Sequence, residues 1–104
     1  ITVNFGDEMG LPAPVPPLTA EMLDPIRAIA KTLWPDARVV PTMATGATDG
    51  RFLNAAGTPT YGISGIFADA AGSGAHGLNE RIRVQSLLDA RQFLHELVKR
   101  YTRH

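Results

Sequence analysis

Four prolines fall within residues 12–17, closing the run G-D-E-M-G-L-P-A-P-V-P-P at residues 6–17. Proline has no backbone N–H to give to a ladder, and its ring blocks a helix interior, so the run favours an extended, polyproline-like path. It reads as a connector, residues 6–18, between two bodies. Before it, residues 1–5 (I-T-V-N-F) alternate apolar and polar, the pattern of a half-buried strand. After it come residues 19–104, which must supply the core. A chain of 104 residues makes at most one domain of modest core. It opens at Ile1, without Met and on what reads as mid-strand sequence, as expected of a processed or excised piece of a longer protein.

Composition removes several classes of function. Ten Lys and Arg balance ten Asp and Glu, so no net field favours nucleic acid or an acidic membrane surface. No apolar run approaches the length of a bilayer span, and no basic-then-apolar leader pattern is present. Cysteine is absent, which excludes disulfides and thiolate ligands; a metal here would be held by His, Asp or Glu.

Periodicity predicts the elements. Thr19 is placed as the N-cap of a helix over residues 20–34, with Met22, Ile26, Ile29 and Leu33 on one face and Glu21, Arg27 and Lys31 on the other. Pro25 falls late for a first-turn proline, so the helix either kinks or begins there with Asp24 as cap; Pro35 ends it. Residues 38–42 (R-V-V-P-T) and 58–65 (T-P-T-Y-G-I-S-G) read as strands, with a turn and short helix over 46–56 between them. A small-residue loop, 66–78, leads to a final helix over 84–101, whose apolar stripe is read as Leu87, Leu88, Leu94, Leu97, Val98 and Tyr101 together with Ala90 and Arg91. Strand and helix alternate along the chain, and the fold class expected is α/β, a mixed sheet covered by helices.

The loop holds a literal G-x-G-x-x-G at Gly72, Gly74 and Gly77. In a dinucleotide-binding fold these glycines turn a strand directly into a helix that meets the pyrophosphate. Here about seven residues separate Gly65 from Gly72, and no strand follows to carry the ribose-binding acid, so a flexible loop is favoured over a nucleotide cradle. Of three histidines, His95 lies on the last helix and His104 ends the chain, whereas His76 sits in this loop between glycines and a short acidic segment. Neither H-x-D nor H-E-x-x-H surrounds it, so spacing alone does not make it a metal ligand.

Three segments in order carry a resemblance: P-T-M-A-T-G-A-T-D-G-R-F, then A-A-G-T-P-T-Y-G-I, then A-H-G-L-N-E-R-I. Together, across residues 40–98, they resemble the end of the catalytic domain in the di-zinc metallopeptidase family of aminoacylase, glutamate carboxypeptidase and succinyl-diaminopimelate desuccinylase (peptidase clan MH). The resemblance implies that residues 19–104 are the C-terminal part of a zinc-peptidase catalytic domain and that residues 1–5 are the last strand of a lid or dimerisation domain. It places a zinc ligand at His76, oriented through its second nitrogen by Asn79 or Glu80, unless those two cap the following helix. It also turns Gly46, Thr48, Asp49 and Arg51 toward substrate. The glycines permit close approach, the N–H groups of a helix start favour an anion, and the Arg51 fork suits a carboxylate. A purely local alternative has Asp49 capping the short helix and Arg51 answering it as a salt bridge.

What the family needs beyond this is not in the chain. Its H-x-D strand end, bridging Asp and paired Glu-Glu belong to an N-terminal half of the domain, and no E-E occurs here. Asn54 stands where some relatives carry a further arginine, which alters the usual carboxylate clamp. The implied cofactor is zinc, two ions per intact site, with cobalt or manganese as substitutes. The implied partners are a small peptide or N-acyl amino acid substrate, the missing half of the domain, and a second copy in a homodimer, with no nucleic acid and no membrane. The chain by itself is expected to be inert. Two rival classes are a non-catalytic α/β assembly domain and a dinucleotide-binding module.

Overall fold

The computed structural model describes residues 14–43 and 48–103. The strand expected at residues 1–5, and most of the proline-rich connector, lie outside them. By contact the chain divides into two compact units, one of Ile1–Pro17 with Met43–Gly62 and one of Leu18–Thr42 with Ile63–His104. No helix among the described residues is long and apolar enough to cross a membrane.

The larger unit is built on two helices, α1 (Ala20–Leu33) and α3 (Val84–Thr102), and these two pack on each other. Helix α1 starts where the sequence places it. Thr19 is extended (φ −84°, ψ 158°), and its hydroxyl accepts from the Met22 N–H at 3.3 Å, satisfying one of the free donors of the first turn. Pro25 lies inside the helix rather than opening it, so the alternative start with Asp24 as cap is not taken. It withholds the N–H that would bond the Glu21 carbonyl, and Glu21 is exposed, where water can replace that bond. Pro35 follows the last turn, which closes with the Trp34 N–H on the Ala30 carbonyl at 2.7 Å.

Ile26, Ile29 and Ala30 of α1 and Phe93 and Leu97 of α3 form the buried cluster, with Met22, Leu33, Trp34 and Val39 packed against it. Tyr101 adds a long-range tie, its hydroxyl donating to the Met22 carbonyl at 2.5 Å. The face that α3 buries carries Ser86, Ala90, Phe93 and Leu97. This corrects the stripe expected from sequence: Leu87, Leu94 and Val98 are exposed, and Phe93 occupies the centre instead. Both sets recur at helical spacing, and the aromatic ring is the one that packs into the α1 cluster and meets Trp34.

No strand occurs among the described residues, so the α/β mixed sheet expected from sequence is not what the chain forms. A strand exists only through a ladder, and here side chains take the backbone groups a ladder would use. The Thr60 N–H and carbonyl both bond the Asn54 side-chain amide, at 2.7 and 3.2 Å. Just past the residues read as strand, the Ile66 N–H goes to Ser64 Oγ at 3.2 Å, and the Phe67 carbonyl accepts from Ser86 Oγ at 2.9 Å. Pro41 and Pro59 have no donor to give. The residues read as strand lie as irregular chain, 58–65 being held to α2 through Thr60.

Gly65 shows how closely this chain lies on the core. Its φ is +68°, and a Cβ built there would stand 2.9 Å from Phe93 Cδ1. Gly72 has φ +80° but open space around the same atom. Gly65→Ala is expected to lose roughly 2–3 kcal/mol in urea unfolding, from a left-handed backbone plus overpacking, and Gly72→Ala only about 1 kcal/mol, from the backbone alone. Equal losses at the two positions would contradict the close approach of Gly65 to Phe93.

Candidate metal-ligand loop and substrate turn

The residues singled out in the sequence fall in two places, one in each compact unit. In the smaller unit, Thr48, Asp49 and Arg51 open helix α2 (Gly50–Ala55), while Gly46 lies outside the described residues. Thr48, not Asp49, serves the helix start: its hydroxyl accepts from the Gly50 N–H at 3.2 Å, and its carbonyl accepts from the Arg51 N–H at 3.1 Å. Asp49 makes no capping bond with its side chain, and its carboxylate is exposed. The Arg51 guanidinium lies over the Phe52 ring, 4.5 Å from its centroid, a cation–π contact. A Cβ at Gly50 would meet Thr60 Cγ2 at 3.2 Å, so the turn lies close against Thr60.

Asn54 has a defined task here. Its amide grips both backbone groups of Thr60 and so folds the chain after α2 back onto the helix. Tyr61, next in sequence, donates its hydroxyl to the Pro17 carbonyl at 2.6 Å, tying the end of the proline run into the same unit. An arginine at position 54 could not reproduce the amide's paired donor and acceptor.

In the larger unit, His76 occupies the tip of a loop that closes on itself. The Gly77 N–H bonds the Gly74 carbonyl at 2.8 Å, and the Arg81 N–H bonds the Ser73 carbonyl at 2.9 Å. His76 itself has φ +63°, the only described residue other than glycine in the left-handed region. A turn with positive φ at its third position favours glycine or asparagine, so a histidine there sits against backbone preference. Such outliers gather at functional sites. The imidazole is exposed, and no hydrogen bond is made to it among the described residues.

Asn79 and Glu80 share the loop, but their side chains neither orient the imidazole nor cap a helix. The Asn79 carbonyl accepts from Arg81 Nη1 at 3.3 Å, and α3 starts at Val84 with Arg83 as its cap residue. Nor does G-S-G-A-H-G turn a strand into a helix: it closes on itself, and seven positions separate Gly77 from Val84. Among the described residues no three His, Asp or Glu side chains come together in a way that could hold a metal ion. The donors that the described residues offer, His76 included, do not make a complete metal centre.

The pinning of the loop was not visible in the sequence. Asp69 pairs with Arg83 across it, and Phe67 meets Trp34 edge to face at 4.9 Å while its carbonyl takes the Ser86 hydroxyl. One signal pointed that way: an arginine at the start of an amphipathic helix, where a cap of Ser, Thr, Asp or Asn is preferred.

With the geometry described, comparison with known proteins gives the class. The family model Peptidase family M20/M25/M40 matches residues 1–100, and the chain belongs to that family, a family of peptidases and hydrolases. Neither a curated protein nor a solved structure matches the chain.

Two outcomes follow from the local geometry. His76→Gly is expected to equal or exceed the parent chain in thermal stability, whereas His76→Val loses about 1–2 kcal/mol, because valine resists a left-handed backbone most. Asn54→Ala leaves the Thr60 N–H without its partner and is expected to cost about 1–2 kcal/mol, with faster amide exchange at Thr60 as the local readout. Loss of stability in His76→Gly, or an unchanged Thr60 amide, would contradict the respective reading.

Proposed function

We propose that this chain is the C-terminal part of the catalytic region of a zinc-dependent amidohydrolase or exopeptidase that cleaves an amide or peptide bond in a small peptide or N-acyl amino acid. The observation that carries the reading is His76: an exposed imidazole at the tip of a closed loop, on a backbone that histidine disfavours, in a member of a peptidase family. When bound, a pair of divalent ions supplies an activated water and polarises the scissile carbonyl. Of that centre His76 gives one neutral nitrogen ligand, and the remaining ligands and the general base come from outside the described residues. Cobalt or manganese would suit the same oxygen and nitrogen donors.

Arg51 has the second role. Its fork, lying over the Phe52 ring, receives a carboxylate of the substrate through two parallel hydrogen bonds. Thr48 sets the turn that presents it, and Asp49, exposed beside it, contacts a donor on the substrate. The chain alone is inert, because one imidazole neither holds two metals nor removes a proton from water at the right place.

Metal content of the intact protein tests the first role. About two ions per chain should fall to one or fewer in His76→Ala, with activity lost; unchanged metal in the variant removes His76 from the centre. For the second, Arg51→Lys should raise KM about tenfold for a substrate bearing a free carboxylate while kcat moves little, since a point charge replaces a planar fork. Chelator-sensitive hydrolysis by the 104-residue chain alone would contradict its inertness.

A further inference from the structure

The chain leading to His76 and the chain leaving it are joined four times. From the outside inward, Ser86 Oγ donates to the Phe67 carbonyl, the Arg83 guanidinium meets the Asp69 carboxylate, the Arg81 N–H bonds the Ser73 carbonyl, and the Gly77 N–H bonds the Gly74 carbonyl. The closures are nested about residues 75 and 76. The inner two use only backbone, and the outer one rests on a buried serine of α3. The Asp69–Arg83 pair is the one closure among these made by two side chains.

Beyond Phe67, whose ring meets Trp34, no residue of the two limbs between 68 and 83 is buried. The limbs flank an open cleft of about 480 Å³, with Ile66, Phe67 and Asp69 on one side and Glu80, Ile82 and Arg83 on the other, and residues 74–82 are all exposed. Across that cleft the ion pair is the contact between charged groups. Asp69 Oδ1 is shut off from solvent and takes no well-aligned hydrogen bond, so the Arg83 charge is what balances it. Arg83 is also misplaced if its only task is to begin α3. It is the cap residue, makes no capping bond, and puts a positive charge at the positive end of the helix dipole. The Asp69 carboxylate accounts for that choice, offsetting both charges at once.

We propose that the Asp69–Arg83 pair positions His76: it sets the spacing of the two limbs and thereby the direction in which the imidazole is offered to a metal ion. This rests on His76 being a ligand, as proposed above. The pair touches neither metal nor substrate, so it is a positioning element that acts through His76. Groups hydrogen-bonded directly to a ligating histidine change metal affinity about ten- to a hundredfold when lost, and a pair one step further out, acting through the loop, is expected at the lower end of that range.

Arg83 is largely exposed, so its replacement leaves the helix pair folded. In the intact protein, zinc affinity is measured by chelator competition for the parent, Arg83→Gln, Arg83→Lys and His76→Gly. Amide exchange at Gly77 and Arg81 is followed in the same proteins. The expected result is an affinity about tenfold weaker in Arg83→Gln, with both amides exchanging faster, and recovery to within about threefold in Arg83→Lys, which restores the charge. Parent-like affinity and exchange in Arg83→Gln would overturn the proposal, as would equal losses in the Gln and Lys variants. If His76→Gly binds zinc as the parent does, the ligand role of His76 fails. Slowed or unchanged exchange in Arg83→Gln would then still count against the pair as a determinant of loop geometry, and faster exchange rescued by lysine would uphold it.

Discussion

Phe93 is 2% exposed, and its ring does three jobs at once. It fills the centre of the α1–α3 cluster, meets the Trp34 ring at 5.5 Å, and forms the surface on which Gly65 lies. Trp34 in turn carries Phe67, and the Phe67 carbonyl is taken by Ser86 on α3. One buried ring therefore fixes both the packing of the helices and the path of the chain toward His76. Removing such a ring from a core typically costs about 3–5 kcal/mol, comparable to much of the total stability of a small domain. The core cluster here is small, so little else stands in reserve.

The loop beyond Phe67 is built differently. It has almost no buried side chains, and its order comes from nested polar closures and from glycines at positive φ. Polar closure around an exposed, strained histidine suits a residue that must meet something outside its own fold. The Arg51 turn follows the same logic: its geometry is set by Thr48, by the Asn54 grip on Thr60, and by the Phe52 ring under the guanidinium. In both places the side chain proposed to act is presented by neighbours whose own bonds are satisfied locally.

Helices α1 and α2 were legible in the sequence because their signals are local: Thr19 before an amphipathic run, Pro35 after it, and a Thr-Asp turn before a short apolar stretch. Helix α3 was legible in extent but not in rotation, since two apolar stripes compete on it and tertiary contact with α1 and Trp34 selects Phe93. The strands were misread because β-branched composition says nothing about whether a ladder partner exists, and at Thr60 the Asn54 amide takes both backbone groups. His76 and Arg51 stood out through a resemblance spread over three segments, and the family match over residues 1–100 bears that resemblance out. The Asp69–Arg83 pair was not legible, because no spacing rule links two charges across an irregular loop.

The central claim is that the loop offers the His76 imidazole to a metal ion. The most direct measurement is NMR of the intact protein with isotope-labelled histidines, loaded with a magnetically active cadmium isotope in place of zinc. The account predicts scalar coupling between cadmium and a ring nitrogen assigned to His76, absent for His95 and His104. Coupling to other histidines of the protein but not to His76 would contradict it.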